Sequence, residues 1–252
     1  MGGRIECYLD IASYYSYVTF IQILKSQELL KQHSVEVEIH PVLIGAINAG
    51  SGNKPPWTVK AKAAHSKYDT ARSAKAVGLK DASPPGDLME AGKTQLPMRA
   101  MHYIKANHAP QTFTTTLHYL FHAFWTLHRP PNTPAALQEI LLEIPADFGL
   151  DSLNYNRSSS SGSGGLLFCD EDVEAILQAA ASQEYKDALK GKVEEALGRG
   201  AFGMPWLWVT TDDAPGAGEP FFGSDRWHFV YEFLGLPYQG VALLPPGGKA
   251  KI

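Results

Sequence analysis

The first residues of the chain alternate between apolar and polar positions and then change to a helical spacing. Ile5, Cys7 and Leu9 occupy every second position, the pattern of a strand with one buried face. From Tyr14 onwards, apolar residues recur at helical intervals, which predicts a helix that runs to about Lys31. The chain is therefore predicted to open with a strand, a short polar turn and a helix.

The turn between this strand and this helix contains residues that commonly cap helices. Asp10 and Ser13 are turn and N-cap types, and Ser13 stands where its hydroxyl could join a site at the helix end. A helix N-terminus presents free backbone N–H groups and the positive end of the helix dipole, which attract an anion. A serine at such a position most often only caps the helix. The turn alone predicts an anion site without identifying its ligand.

A second strand is predicted over residues 35–40, where valine and isoleucine alternate with charged residues and Pro41 follows. Strand, helix and strand at this spacing form a βαβ unit, whose two strands are parallel. The next segment, 45–57, is rich in Gly, Asn and Pro and is predicted to be a loop.

Residues 58–198 contain no convincing strand pattern and are predicted to be helical with polar or proline-rich breaks. A long loop is predicted over 80–94, and a mobile surface loop over the Ser- and Gly-rich residues 154–165. The predicted helices cover 59–77, 96–107, 112–128, 134–144, 170–181 and 183–197.

Strand patterns return at 206–210 and 220–222, and a last amphipathic helix is predicted to begin near Ser224 and Asp225. The order is therefore βαβ, a helical block and ββα, an α/β fold. The strands of both ends can form one sheet only if the helical block is an insertion. The predicted domains are a discontinuous one, 1–58 plus 199–252, and an α-helical one, 59–198.

Composition and charge exclude several kinds of partner. The 252 residues are 44% hydrophobic and 19% charged, and their net charge is −4. Because a nucleic-acid backbone requires a basic protein face, we expect no nucleic-acid partner. No apolar run approaches the roughly 20 residues that span a bilayer, and the N-terminus lacks a secretory signal pattern. Cys7 and Cys169 are far apart, which argues against a disulfide framework, a zinc knuckle or a dithiol site and predicts a reducing compartment.

Two further motifs lie where such a sheet would place its edge loops. A cis bond between Met204 and Pro205 would expose the main chain of Met204 to a bound peptide, although a single X-Pro bond is usually trans. Ser224 and Asp225 suit a carboxylate and an ammonium group respectively, although a simple helix cap is commoner.

Together these motifs resemble the kappa-class glutathione transferases, which form a wider group with the 2-hydroxychromene-2-carboxylate isomerases and the DsbA-type oxidoreductases. The resemblance extends from about residue 4 to residue 240. It implies a thioredoxin-like fold interrupted by a large all-helical insertion. Its four pieces are SYYS at 13–16, SGNKPP at 51–56, GAFGMP at 200–205 and FGSDR at 222–226.

The resemblance also implies glutathione as a bound co-substrate. Ser13 would be the catalytic serine, whose hydrogen bond to the glutathione sulfur favours thiolate over thiol. Met204, held by a cis Pro205, would pair its main chain with the cysteine of glutathione. Ser224 and Asp225 would bind the γ-glutamyl group. The remaining residues that the resemblance places in the site are Tyr14, Tyr15, Asn53 and Lys62.

The implied activity is glutathione transfer, in which a glutathione thiolate conjugates or reduces a small hydrophobic electrophile. Two alternatives stay open: a glutathione-dependent isomerase of a 2-hydroxychromene-2-carboxylate-like substrate, and a glutathione-binding protein with little catalysis. A dithiol oxidase is disfavoured because the sequence has no C-x-x-C motif. The family often has proline after its catalytic serine, where this chain has Tyr14. The resemblance further implies a homodimer.

Three other patterns carry weaker expectations. His118 and His122 have the spacing of two metal ligands on a helix, but the pattern offers no third ligand and we expect no metal. Cys7 is predicted to be an inert core thiol. The last three residues, AKI at 250–252, resemble a degenerate peroxisomal signal, so an intracellular location in the peroxisome, cytoplasm or mitochondrion is expected.

Overall fold

The protein is described by a computed structural model over residues 2–151, 165–214 and 216–240. Strands and helices alternate at both ends of the chain, and helices occupy the middle. In chain order they are β1 Gly3–Leu9, α1 Tyr14–Gln32, β2 Val35–Pro41, α2 Ile44–Ser51, a 3₁₀ turn Pro56–Thr58, α3 Lys60–Val77, α4 Leu88–Ala91, α5 Gln95–Asn107, α6 Pro110–Trp125, α7 Pro134–Leu141, α8 Asp170–Ala181, α9 Gln183–Gly198, β3 Trp206–Thr211, β4 Gly218–Phe222 and α10 Trp227–Phe233.

The four strands form one mixed sheet in the order β2-β1-β3-β4. Strand β1 runs parallel to β2, with Gly3 opposite Val35, and antiparallel to β3, with Gly3 opposite Thr211. Strands β3 and β4 are antiparallel, with Trp206 opposite Phe222. This topology joins the two ends of the chain in one sheet and makes α3–α9 an insertion, which confirms the predicted α/β fold. The domain limits near residues 58 and 198 stay a prediction.

The alternation along β1 supplies apolar side chains to a core on each face of the sheet. Ile5 and Cys7 are fully buried in the larger core, which also contains Tyr17 and Phe20 of α1. Burial raises the pKa of the Cys7 thiol, which agrees with its prediction as a core thiol. Tyr8 belongs to a second core with apolar residues of α2 and α9. The insertion therefore contributes α9 to the packing of the sheet.

Two predicted loops contain helices. The sequence predicts a loop over 45–57, but α2 begins at Ile44, whose N–H donates to the carboxylate of Asp10 at 2.7 Å. This contact joins residues far apart in sequence, so local composition does not reveal it. The segment 80–94 contains the short helix α4, for which the carboxylate of Asp87 is the N-cap. Both α2 and α4 therefore begin where a carboxylate accepts the free N–H groups of the first helical turn.

The last helix begins later than the sequence predicts. Arg226 is the N-cap of α10, and the first helical residue is Trp227, which is buried. Ser224 and Asp225 therefore lie in the turn before the helix, and no side chain caps its start. The carboxylate of Asp225 pairs with the Arg226 side chain. The other predicted helices agree with the structure to within three residues at each end.

Two sequence predictions fall on residues that the structure does not describe. The predicted mobile loop overlaps residues 152–164, and the C-terminal tripeptide lies within 241–252. Of the helices in the described ranges, none combines the length and the apolar character that a membrane crossing requires.

Candidate functional site

The end of β1 and the start of α1 place Ser13 at a helix N-terminus. Ser13 is the N-cap of α1, and its Oγ accepts from the N–H of Ser16 at 3.2 Å. The same hydroxyl donates to the main-chain carbonyl of Met204 at 3.1 Å. The first turn of α1 contains no acidic residue, so no side chain of this turn offsets the positive end of the helix dipole.

Ser13 meets a loop in which the bond between Met204 and Pro205 is cis, as the sequence analysis considered. Strand β3 starts directly after this bond, and the carbonyl of Pro205 accepts from the N–H of Gly223 at 3.2 Å. That hydrogen bond extends the pairing of β3 with β4 and brings Ser224, which is buried, to the same loop. The motifs around Ser13, Pro205 and Ser224 therefore converge at one edge of the sheet.

Asn53 reaches the same loop from the segment after α2. Its side-chain NH₂ donates to the carbonyl of Phe202 at 2.6 Å, and its side-chain oxygen accepts from the N–H of Lys54 at 2.8 Å. A Cβ on Gly203 would lie 3.8 Å from Nδ2 of Asn53 and 2.9 Å from the ring of Phe222. Only glycine therefore fits at position 203 without displacing a neighbour.

The two charged residues predicted for the site are exposed. The carboxylate of Asp225 lies 2.5 Å from the guanidinium of Arg226, and 70% of the Asp225 side chain is accessible. Lys62 is exposed in the first turn of α3, and it forms no hydrogen bond or ion pair with any described residue. The structure therefore does not bring Lys62 into polar contact with the other predicted residues.

The hydroxyl groups of Tyr14 and Tyr15 bind α3 of the helical insertion. Tyr14 donates to the carbonyl of Thr70 at 3.1 Å, and Tyr15 donates to the carboxylate of Asp69. The ring of Tyr14 packs edge-on against Trp125, with 5.1 Å between the ring centroids. Burial raises the pKa of Tyr14 to about 12, so its hydroxyl is protonated and donates at neutral pH.

A buried carboxylate next to Ser13 was recognised in the sequence only as a turn residue. Asp10 is completely buried and accepts from the N–H of Ala12 at 3.0 Å, the N–H of Ile44 at 2.7 Å and the hydroxyl of Thr94 at 2.9 Å. Burial raises its pKa to about 6, although the three donors favour the charged form. The signal that could have identified it is an acidic residue directly after a buried strand.

Within the described ranges, one group of side chains has the spacing of metal ligands. It consists of Glu6, Glu38 and His40, whose ligand atoms lie within 4.8 Å of one another. The ammonium of Lys105 lies 2.6 Å from Glu38, and the guanidinium of Arg199 lies 2.8 Å from Glu6. Because these cations of the protein already compensate the two carboxylates, the chemistry of the group does not fit a metal ion.

The histidine pair of the sequence analysis lies in the core. His118 and His122 are buried, and the Nε2 atom of each has no hydrogen-bond partner among the described residues. Burial lowers the pKa of His118 to about 3 and that of His122 to about 4, so both rings are neutral at neutral pH. They pack against aromatic rings such as Phe148. This is the environment of core histidines.

The fold and the site define a thioredoxin-like protein with serine at the start of its first helix and no dithiol. Cys7 is buried in β1 and Cys169 is exposed before α8, and both are free. The chain belongs to the family of the DSBA-like thioredoxin domain, whose family model matches residues 4–164.

Relatives of known type are distant but align over nearly the whole chain. The chain is 24% identical to glutathione S-transferase kappa 1 of Caenorhabditis elegans over 236 residues, which are 93% of this chain and 92% of that protein. It is 23% identical to glutathione S-transferase kappa 1 of Homo sapiens over 251 residues, 98% of this chain and 97% of that protein. These similarities confirm the resemblance to the kappa class.

A solved structure supports the same fold. That of a 2-hydroxychromene-2-carboxylate isomerase covers 92% of this chain and 94% of its own, with a TM-score of 0.62 and 16% sequence identity. At this identity the likeness establishes the fold and carries no information about the reaction.

Proposed function

We propose that this protein is a glutathione transferase of the kappa type, which activates the glutathione thiol for conjugation to, or reduction of, a small hydrophobic electrophile. The observation that carries the proposal is the 3.1 Å hydrogen bond from the Ser13 hydroxyl to the Met204 carbonyl, at the N-terminus of α1. A peptide thiol paired with the main chain of Met204 would bring its sulfur to Ser13. The similarity to glutathione S-transferase kappa 1 supports glutathione as that thiol.

In the proposed reaction Ser13 exchanges one hydrogen-bond acceptor for another. Its hydroxyl leaves the Met204 carbonyl and donates to the sulfur, and the released carbonyl can accept the N–H of the glutathione cysteine. A hydrogen-bond donor and a positive helix end both favour the charged thiolate, so the pKa of the thiol falls and its proton passes to solvent. The thiolate is then the nucleophile, and the protein need not supply one.

The ends of glutathione would be held by the remaining predicted residues. Ser224 suits the γ-glutamyl carboxylate and Asp225 the ammonium group, which would compete with the Arg226 guanidinium for the same carboxylate. Asn53, which is fixed by its bond to the loop, would orient the peptide. The resemblance assigns the glycine carboxylate to Lys62, whose exposed ammonium is free to bind it, since it has no partner among the described residues.

A hydrophobic electrophile is supported by two exposed rings beside the loop that carries Met204. Phe202 and Phe222 are 43% and 41% exposed, and their ring centroids lie 4.6 Å apart. They offer an apolar surface next to the glutathione site. Tyr15, which is half-buried, would form a second wall, fixed in position by its bond to α3. Tyr14 is buried against Trp125, so it would support this wall from behind without contacting the electrophile.

Calorimetric titration with glutathione tests the proposal. We expect saturable binding to the wild-type protein, and a dissociation constant raised about tenfold in Asp225→Asn through loss of a charged hydrogen bond. Asp212→Asn is a matched control, because Asp212 is an exposed acid at the other end of β3 and should leave the affinity unchanged. A wild-type titration without binding heat, repeated at a second temperature, would refute the proposal.

Assays with electrophiles separate the reactions that glutathione binding allows. Net consumption of glutathione indicates transfer, and turnover without consumption indicates the isomerase. Binding without turnover across a broad panel of electrophiles indicates a binding protein. The proposal includes a homodimer, which sedimentation equilibrium tests.

A further inference from the structure

The turn that carries Ser13 is attached to the helical insertion at several points. The hydroxyl of Thr94, the N-cap residue of α5, donates to the carboxylate of Asp10. The indole N–H of Trp125, the last residue of α6, donates to the carbonyl of Ile11 at 2.7 Å. The tyrosine hydroxyls described above bind α3 in addition. The orientation of the turn is therefore set by contacts that cross from the sheet to the insertion.

The link between Asp10 and Thr94 is the most deeply buried of these contacts, since both residues are completely buried. One carboxylate oxygen of Asp10 accepts from the N–H of Ala12 and from the Thr94 hydroxyl. The other accepts from the N–H of Ile44 at 2.7 Å and lies 3.1 Å from the Thr94 hydroxyl. The main-chain carbonyl of Asp10 accepts the N–H of Ser13 at 3.0 Å. A single residue thus closes the turn beneath Ser13 and joins it to two other segments.

Stability alone does not explain a carboxylate at this position. Burial disfavours the charged form of Asp10, which raises its pKa, so the ionised group costs stability at neutral pH. A carboxylate is nevertheless the one side chain of this size that accepts all three donors, because the NH₂ of an asparagine would face the N–H of Ala12 or Ile44. Asp10 therefore fixes the geometry of the turn before α1 and lowers the stability of the protein in doing so.

We propose that Asp10 and Thr94 are positioning residues for Ser13, and that through them the helical insertion sets the direction of the Ser13 hydroxyl. The inference rests on the proposed function. Neither residue touches glutathione. They hold the turn over residues 10–13, so that the Ser13 hydroxyl and the N-terminus of α1 meet the thiol together.

The test compares two buried threonines. Thr94→Val removes the hydroxyl that binds Asp10 and keeps the shape of the side chain, and Thr94→Ser keeps the hydroxyl. Thr116→Val is the matched control, because Thr116 is also completely buried but its hydroxyl bonds within α6, to the carbonyl of Thr112 at 2.7 Å. For each variant, the pH dependence of thiolate ultraviolet absorbance gives the pKa of the bound glutathione thiol, and thermal unfolding reports stability.

We expect Thr94→Val to lower the thiolate-to-thiol ratio of bound glutathione about threefold at a given pH, because the Ser13 hydroxyl is kept but is no longer held towards the sulfur. Thr94→Ser should restore it, and Thr116→Val should behave as the wild type. A purely structural role of Thr94 would lower the unfolding temperature of Thr94→Val and leave the thiol pKa unchanged in both valine variants. That result would overturn the inference.

A second measurement decides the inference without glutathione. In a Ser13→Cys, Cys169→Ser background, the rate of alkylation by iodoacetamide as a function of pH gives the pKa of the thiol introduced at position 13. Adding Thr94→Val should raise this pKa, and adding Thr116→Val should not. If the wild-type protein binds no glutathione, the proposed function fails, and this comparison alone supports or overturns the positioning role.

Discussion

At the scale of single residues, the proposed site depends on the carbonyl of Met204 and on the loop that presents it. The carbonyl accepts the Ser13 hydroxyl, and the loop before it is held by the bond from Asn53 to Phe202. Gly203 lies between these contacts, against the ring of Phe222. A small change in this loop should therefore alter glutathione binding more than the same change elsewhere.

We expect Gly203→Ala to weaken glutathione binding, because the added Cβ would lie 2.9 Å from the ring of Phe222. Because this ring is 41% exposed and can turn aside, the cost in stability should be small, and the altered loop should raise the calorimetric dissociation constant about threefold. Gly191→Ala in α9 is the control, since nothing lies within 4 Å of its Cβ. The control should bind normally and be more stable by up to about 1 kcal/mol. Equal affinities of the two variants would contradict the prediction.

The buried histidines predict a loss of stability in acid. In the folded protein, burial lowers the pKa of His118 to about 3, whereas in the unfolded chain the imidazole binds a proton below its ordinary pKa of about 6.5. The unfolded state therefore binds more protons between these values, and stability is full above pH 6.5 and falls with decreasing pH. At about pH 5 this one histidine should cost about 2 kcal/mol.

The unfolding free energy of the wild-type protein should fall between pH 6.5 and about pH 5, and in His118→Leu this fall should be smaller by about 2 kcal/mol. Asp10 acts in the opposite direction, because its raised pKa of about 6 makes the folded state bind a proton first as the pH falls. That contribution is the same in both proteins and cancels in the comparison. Urea denaturation of wild type and variant at both pH values measures the difference. Parallel pH profiles would exclude a buried, neutral His118.

At the scale of elements, the contact between α1 and α3 places the insertion against the serine turn. Tyr14 and Tyr15 make this contact at the first two residues of α1, directly after Ser13. In the kappa-class pattern proline often follows the catalytic serine. A proline ring has no hydroxyl, so this bond to α3 comes from the tyrosine that replaces it.

Tyr14→Phe should destabilise the protein by about 1 kcal/mol, because the hydrogen bond from its hydroxyl to the carbonyl of Thr70 is lost. It should also speed amide hydrogen exchange in α3 more than in α9. Tyr68→Phe is the control on the same helix, since 55% of Tyr68 is exposed and its loss of a hydroxyl should change neither quantity. Denaturation and hydrogen exchange on both variants provide the measurement. Identical exchange of α3 in both would contradict a role of Tyr14 in holding this helix.

At the scale of the whole molecule, the order of elements follows from local patterns. The alternation at Ile5, Cys7 and Leu9 and the apolar stripes of the helices predict nearly every element with its approximate limits. The motifs around Ser13 and Pro205 are visible because special residue types occur at turns. The limits of the elements and the turn motifs depend on residues that are neighbours along the chain. A sequence pattern records such neighbours, so these features can be predicted from it.

The features that the sequence does not reveal depend on residues that are distant along the chain. The start of α2 is fixed by Asp10, and Asp10 is fixed in turn by Thr94. Ion pairs likewise join the sheet to the insertion: Arg199, directly after α9, pairs with Glu6 of β1, and Lys105 of α5 pairs with Glu38 of β2. Such contacts leave no periodic pattern, so the anchoring of the serine turn becomes visible only in three dimensions.

The role of Ser13 is decided by the pKa of the glutathione thiol when it is bound to the wild-type protein and to Ser13→Ala, measured from thiolate absorbance against pH. We expect the wild-type protein to lower this pKa well below that of free glutathione. Ser13→Ala should raise it again by about 1, the effect of one lost hydrogen bond to a charged group, with a smaller change in affinity. A bound thiol with the same pKa in both proteins would contradict the central claim that Ser13 activates glutathione.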